Sequence, residues 1–124
     1  MTLTKVGFYK EMPHAENTDP SILDCIHKAD YSDETAQICS YLKNGTIYIA
    51  CCGVCYDVID QEKGVAGVPS LLTDGVWIWP GDLAYYVENY NLKLPANFID
   101  HMKANRWSNS LTSDMLNDED IVIQ

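Results

Sequence analysis

Basic residues are scarce in this chain: eight Lys and Arg stand against eighteen Asp and Glu in 124 residues, a formal net charge of −10. A field of that sign repels phosphate backbones and anionic headgroups, so direct binding to DNA, RNA or a membrane surface is excluded as the main activity. Long apolar runs are also missing. No segment approaches the roughly 18 residues that a bilayer span requires, and Met1 to Lys10 lacks both the apolar stretch and the small-residue cleavage site of a secretion signal. The cytoplasm is therefore the expected compartment. Absent too are a glycine-rich phosphate loop, a nucleophile-plus-base motif and paired clusters at metal-ligand spacing. On this reading the chain is not an enzyme, and no catalytic residue, metal or cofactor is assigned.

Cysteine is present in an odd number, five, without a secretion signal, which argues against a disulfide framework. Cys51, Cys52 and Cys55 form a CCxxC group within an apolar run. Such a pair serves redox or zinc chemistry when a second cluster completes it. Here His14, His27 and His101 stand singly, so the three thiols read as small buried hydrophobes.

What is present suits one soluble domain: 47% hydrophobic and 21% charged residues. Residues 1–107 are expected to form a single globular domain, and residues 108–124 an acidic C-terminal tail. The tail carries Asp114, Asp118, Glu119 and Asp120 with no Lys or Arg. It serves either as a solvated terminus or as a docking surface for a basic partner.

Along the chain, Lys5 to Tyr9 reads as an edge strand or an extended arm. Asp19-Pro20 opens a helix with Ile22, Leu23, Ile26 and Ala29 on one face, ending near Asp30. Ser32 caps a second helix, with Asp33 and Glu34 in its first turn, Ile38, Cys39, Tyr41 and Leu42 inside, and Asn44-Gly45 as a left-handed stop. From Thr46 the pattern changes to β, through TIYIACC and VCYDVI, as one strand kinked at Gly53 or as two short ones. A polar loop follows from Asp60 to Pro69. Ser70–Thr73 and Val76–Trp79 then pair through Asp74-Gly75, with Trp77 and Trp79 on one face of the strand and Val76 and Ile78 on the other. Pro80 ends that strand. Leu83, Tyr86, Val87 and Tyr90 give a buried helical stripe, against which an indole is expected to pack, and a last helix opens at Pro95 and buries Phe98, Ile99 and Met102. The fold class is α+β: a central, mainly antiparallel sheet with two helices before it and two after.

The run LTDGVWIWPGDLAYYVENYNLKLPANFIDHMKANRW resembles a widespread family of small bacterial proteins that share a TDG, a W-x-WP step, a D-L-x-x-Y-V helix and an LP-x-x-F-x-x-H helix. The resemblance is strong over about a third of the chain, with weaker echoes in YLKNG and ACCGVCYDVI. In size, acidity and single-domain build these proteins resemble the immunity proteins of bacterial toxin systems. The resemblance implies a direction, toxin neutralisation by binding, and carries no catalytic residues.

Three function classes fit these features. A protein-binding module of the immunity type explains small size, acidity and the missing catalytic motif together, since an acidic inhibitor steers itself to a basic toxin such as a nuclease. A structural or regulatory subunit without a toxin partner has the same bulk properties. A small enzyme would need His101, at the edge of the core face of the last helix, as a base for Cys52 or Cys55, with Asp57 or Asp60 orienting the imidazole. For the binding module, the expected contacts are Asp57, Asp60 and Glu62 in the central loop or Asp114, Asp118, Glu119 and Asp120 in the tail. Tyr85, left out of the periodic stripe, is an exposed aromatic anchor on this reading. The partner is a basic protein; the sequence leaves the oligomeric state open.

Overall fold

A computed structural model describes residues 2–12, 16, 18–112 and 121–123. In chain order the regular elements are β1 (Thr2–Lys5), α1 (Thr35–Lys43), β2 (Thr46–Ile49), β3 (Cys55–Tyr56), β4 (Val65–Gly67), β5 (Leu71–Thr73), β6 (Trp77–Pro80), α2 (Leu83–Tyr90), α3 (Ala96–Ala104) and β7 (Val122–Ile123). Single 3-10 turns lie at Ile22–Asp24, Ser32–Glu34 and Gln61–Lys63. Five strands form one sheet in the order β2-β5-β6-β1-β7, and β3 and β4 form a separate antiparallel pair. No helix among the described residues is long and apolar enough to cross a membrane.

The class is α+β, but the sheet is mixed and the α-helices number three among the described residues. β5 runs antiparallel to both of its neighbours, β2 and β6, whereas β1 runs parallel to both β6 and β7. The first strand was expected at Lys5 to Tyr9, as an edge or an arm. It lies instead at Thr2–Lys5, flanked on both sides, with Thr4 opposite Trp77 and Leu3 opposite Ile123. Leu3 is fully buried, and Val6, Phe8 and Tyr9 stay buried after the strand ends. Val122 and Ile123 pair with Thr2 and Leu3 as β7.

The helix expected from Pro20 to Asp30 is only the 3-10 turn at Ile22–Asp24. Its start is capped by Ser21, whose Oγ accepts from Leu23 N–H at 3.3 Å, and Glu11 takes the Ser21 hydroxyl at 2.6 Å and Ile22 N–H at 2.8 Å. The backbone beyond is committed elsewhere: His27 N–H donates to Tyr90 O, Ala29 N–H to Asn91 O, and Lys93 N–H to Cys25 O. His27 itself sits at φ +58°. Groups that a helix would pair internally instead hold the connection between α2 and α3.

Helix α1 follows the 3-10 turn at Ser32–Glu34, and its N-cap is Glu34 with no side-chain hydrogen bond, so Ser32 is not the cap. Asn44 ends it at φ −95°, without the left-handed cap expected of Asn44-Gly45. Glycine is needed at 45 for space: a Cβ there would lie 2.6 Å from Trp79 Cζ2 and 2.9 Å from Leu72 Cβ. The β region is two strands, with Gly53 between them at φ +102°, a conformation that side chains rarely adopt. The expected polar loop contains the 3-10 turn and β4.

The hairpin forms as expected, with Leu72 opposite Trp79 and Thr73 opposite Ile78. Its turn is held by a side chain. Asp74 Oδ1 accepts Val76 N–H at 2.9 Å and Trp77 N–H at 2.7 Å, and Oδ2 accepts the Tyr41 hydroxyl at 2.5 Å and faces His101 Nε2 at 3.1 Å. Asp74 therefore ties the hairpin to α1 and α3 at once. Trp77 and Trp79 enter the large core, and Ile78 joins Leu3 and Phe8 in a smaller one, as the alternation requires. Their aromatic partner is Phe98 of α3, at ring distances of 4.9 Å from Trp77 and 5.5 Å from Trp79, rather than the α2 stripe alone. Tyr41 of α1 lies 6.0 Å from the Trp79 ring, and Trp79 Nε1–H donates to Leu42 O at 3.0 Å. Helices α2 and α3 begin after Asp82 and Pro95, bury the expected residues, and α2 ends at a left-handed Asn91.

The cysteines divide. Cys39 and Cys55 are buried and Cys25 half-buried, but Cys51 and Cys52 are exposed, so the CCxxC group is not a block of core thiols. They leave strand structure after Ile49, where no sheet face requires them inside. Burial first, then the Asp82 carboxylate and Cys51, pushes the Cys55 thiol up; burial and Glu88 do the same at Cys39, against a smaller pull from Lys43.

Two measurements test this packing. Trp79→Ala is expected to cost about 3–5 kcal/mol in thermal or denaturant unfolding, and Gly45→Ala to lower the melting temperature measurably, whereas Val76→Ala at an exposed site leaves it unchanged. Thiol titration of the reduced native protein is expected to show Cys51 and Cys52 reacting fast and Cys39 and Cys55 reacting only after unfolding; five equally fast thiols would contradict the assignment.

Candidate protein-binding site

Of the side chains the sequence nominates, Asp57 has the most telling environment. It directly follows β3 in a segment where Cys55 and Asp57 point inward and Val54 and Tyr56 outward, the period-2 consequence of extended backbone. Its carboxylate is fully buried. Oδ1 accepts Ile59 N–H at 2.8 Å and Asp60 N–H at 2.9 Å; Oδ2 accepts the hydroxyls of Tyr85 at 2.7 Å and Tyr90 at 2.6 Å. Four donors meet one anion.

Burial alone would raise the Asp57 pKa, but hydrogen bonds from Tyr90, Asp60, Tyr85 and Ile59 outweigh it and hold the carboxyl below its ordinary value. The hydroxyls respond oppositely. Tyr85 is pushed up to about 12, chiefly by its bond to Asp57 and then by burial. Tyr90 is pushed up to about 12 by burial first and Asp57 second. Tyr86 extends the network: Val58 N–H donates to its oxygen at 3.0 Å, its hydroxyl donates to Tyr56 O at 3.4 Å, and burial, partly offset by the Val58 bond, raises its pKa.

This network fixes the loop between β3 and β4 onto α2. Asp60 caps the 3-10 turn by accepting Glu62 N–H at 3.1 Å, Asp57 N–H donates to Gly64 O at 2.9 Å, and Lys63 Nζ sits 4.5 Å from the centroid of the Tyr90 ring. The outer surface of the loop combines apolar and acidic groups. Tyr56, Val54 and Val65 are 58%, 50% and 52% exposed, and Asp60 and Glu62 are exposed beside them in sequence.

The nominated residues therefore separate. Asp60 and Glu62 are available at the surface, whereas Asp57 is a buried strut whose oxygens are used internally. Tyr85, expected as an exposed anchor, is half-buried with its hydroxyl on Asp57. Asp114, Asp118, Glu119 and Asp120 lie outside the described residues, as does His14. His101 bonds to Asp74, and Asn105 Nδ2 lies 3.1 Å from the same Nε2. No hydrogen bond among the described residues joins His101 to Cys52, Cys55, Asp57 or Asp60, so the Cys, His and Asp set does not assemble. Among the described residues no group of three or more His, Cys, Asp or Glu is arranged to hold a metal ion.

Tyr56 and Val54 escaped the sequence reading because aromatic and β-branched residues in an apolar run default to the core. The alternation V-C-Y-D, with an acid at an inward position, was the available signal. No family model, curated protein or solved structure matches this chain.

The Asp57 strut gives a signed pH prediction. A carboxyl whose pKa is lowered on folding contributes stability that is complete above its unfolded value, about 3.9, and is lost as pH falls through the folded value. Asp57→Asn is expected to lower stability near neutral pH by about 2–3 kcal/mol, with the gap to the parent closing below about pH 4. Urea unfolding across pH measures it, and a constant gap would show that the charge of Asp57 is not what holds the loop.

Proposed function

We propose that this chain is a small protein-binding module of the immunity type, which neutralises a basic toxin by occupying its surface. The observation that carries the reading is the loop from Val54 to Val65: pinned from inside by the Asp57 network, it presents exposed Tyr56, Val54 and Val65 with Asp60 and Glu62 in one short segment. Rigid aromatic and aliphatic side chains give contact energy at small entropic cost, and acidic groups at the rim steer a basic partner and set the salt dependence of association. Pre-organisation removes part of the ordering cost of binding. The overall charge of −10 reinforces the attraction at long range. In this reading Asp114, Asp118, Glu119 and Asp120 add to the steering field, and Tyr85 and Asp57 act from within by holding the loop in shape.

The test is to co-express the protein with the product of the gene immediately upstream in a susceptible bacterium, and to titrate the two purified proteins. Protection of growth and a tight complex are expected. Tyr56→Ala should weaken the complex by about 2 kcal/mol or more, roughly thirtyfold, mainly through faster dissociation. Asp60→Asn with Glu62→Gln should slow association and flatten its salt dependence. If these variants bind as the parent does, the loop is not the contact.

A further inference from the structure

Strand β2 is an edge of the five-stranded sheet and, among the described residues, pairs only with β5. Its sequence, TIYI, contains no charge and no proline. Two of its side chains, Ile47 and Ile49, are 55% and 44% exposed. Sheets normally protect an edge with charged residues, proline, extreme shortness or a covering element, because the outward-facing N–H and C=O groups template another strand. β2 has neither of the chemical devices; it is four residues long, the Asn109–Leu111 segment bonds its first residue, Thr46, and its one irregularity, the register shift between Ile47 and Ile49, faces β5. On its inner side Tyr48 and Leu71 pack onto the Leu3, Phe8 and Ile78 cluster, and Thr46 Oγ1 donates to Leu111 O at 2.7 Å, so the edge is held in position before anything binds.

We propose that β2 accepts an added strand from a basic protein partner, a segment in which cationic and apolar side chains alternate. Its backbone extends the sheet, its apolar side chains cover Ile47 and Ile49, and its cations remain in the acidic field of the protein. A second copy of this chain is the poorer occupant, because two bodies of charge −10 repel while a basic strand is attracted. The proposal rests on the reading that the partner is a basic protein, but assigns the backbone contact to a different element from the loop.

The probe is a fluorescent, end-capped hexapeptide of alternating lysine and valine, with two further versions N-methylated on every lysine or on every valine, titrated into the full chain by anisotropy. Saturable binding is expected, with one methylated version at least tenfold weaker and the other close to the parent, because a paired strand offers alternate N–H groups to β2. Ile47→Asp is expected to weaken binding several-fold although it adds negative charge; Ile47→Thr, which keeps strand propensity, provides the same reading should the first variant fail to fold. The proposal is overturned if no saturable binding is seen, if both methylated peptides bind like the parent, or if Ile47→Asp tightens binding, which would indicate bulk charge attraction. Loss of binding in Asp60→Asn with Glu62→Gln but not at Ile47 would also overturn it and would leave the loop reading intact. So would sedimentation showing a dimer that Ile47→Asp dissolves, since the edge would then be filled by a second copy.

Discussion

The indole of Trp79 is the meeting point of the molecule. Its nitrogen is bonded to the carbonyl of Leu42 at the end of α1, and its ring lies against Phe98 from α3 and Tyr41 from α1. Its far edge reaches so close to the backbone that residue 45 has no room for a Cβ. Because interiors are close-packed, a ring that touches three elements sets their spacing together. Gly45 just before β2, Tyr41 of α1 and Phe98 of α3 are all arranged around that ring. An exchange at any of them is felt at the others.

Around this apolar centre the chain uses two buried carboxylates as polar struts. Asp74 takes two turn amides, a tyrosine hydroxyl and a histidine, and Asp57 takes two loop amides and two tyrosine hydroxyls. In each case two amides close in sequence and at least one hydroxyl from a distant helix, Tyr41 for Asp74 and Tyr85 and Tyr90 for Asp57, surround a carboxyl that would be costly to bury alone. The result is an acidic protein in which part of the acidity is structural. Asp60 and Glu62, by contrast, are the exposed carboxylates of that loop, and Asp60 also caps its 3-10 turn.

The sequence was legible where local chemistry and packing agree. The Trp77 and Trp79 alternation and the Leu83, Tyr86, Val87 and Tyr90 stripe each express one period, Asp82 and Pro95 mark where the last two helices begin, and the structure follows them. It was not legible where distant partners override the local signal. Asp19-Pro20 is a sound helix opening, yet the backbone of Cys25, His27 and Ala29 is captured by residues after α2. β1 was misplaced because four residues carry little pattern and their partners are remote. Asp57 and Asp60 look alike on paper, but three residues of extended chain and turn are enough to put one inside and the other in solvent. Tyr85 misled in the opposite sense: the stripe omits it, and its hydroxyl still finds the buried carboxylate.

The position of β1 also has a kinetic meaning. It lies inside the sheet, yet its pairing with β6 joins Thr4 to Trp77, about seventy residues further on, and its other neighbour is more distant still. Leu3 and Thr4 therefore have no sheet partner until strands far along the chain are in place. The β5–β6 hairpin can assemble locally; the parallel seam must close across a long loop and so at higher entropic cost. The order of refolding follows from this: the hairpin is expected to form before the parallel seam, and Leu3 to be covered only when that seam closes.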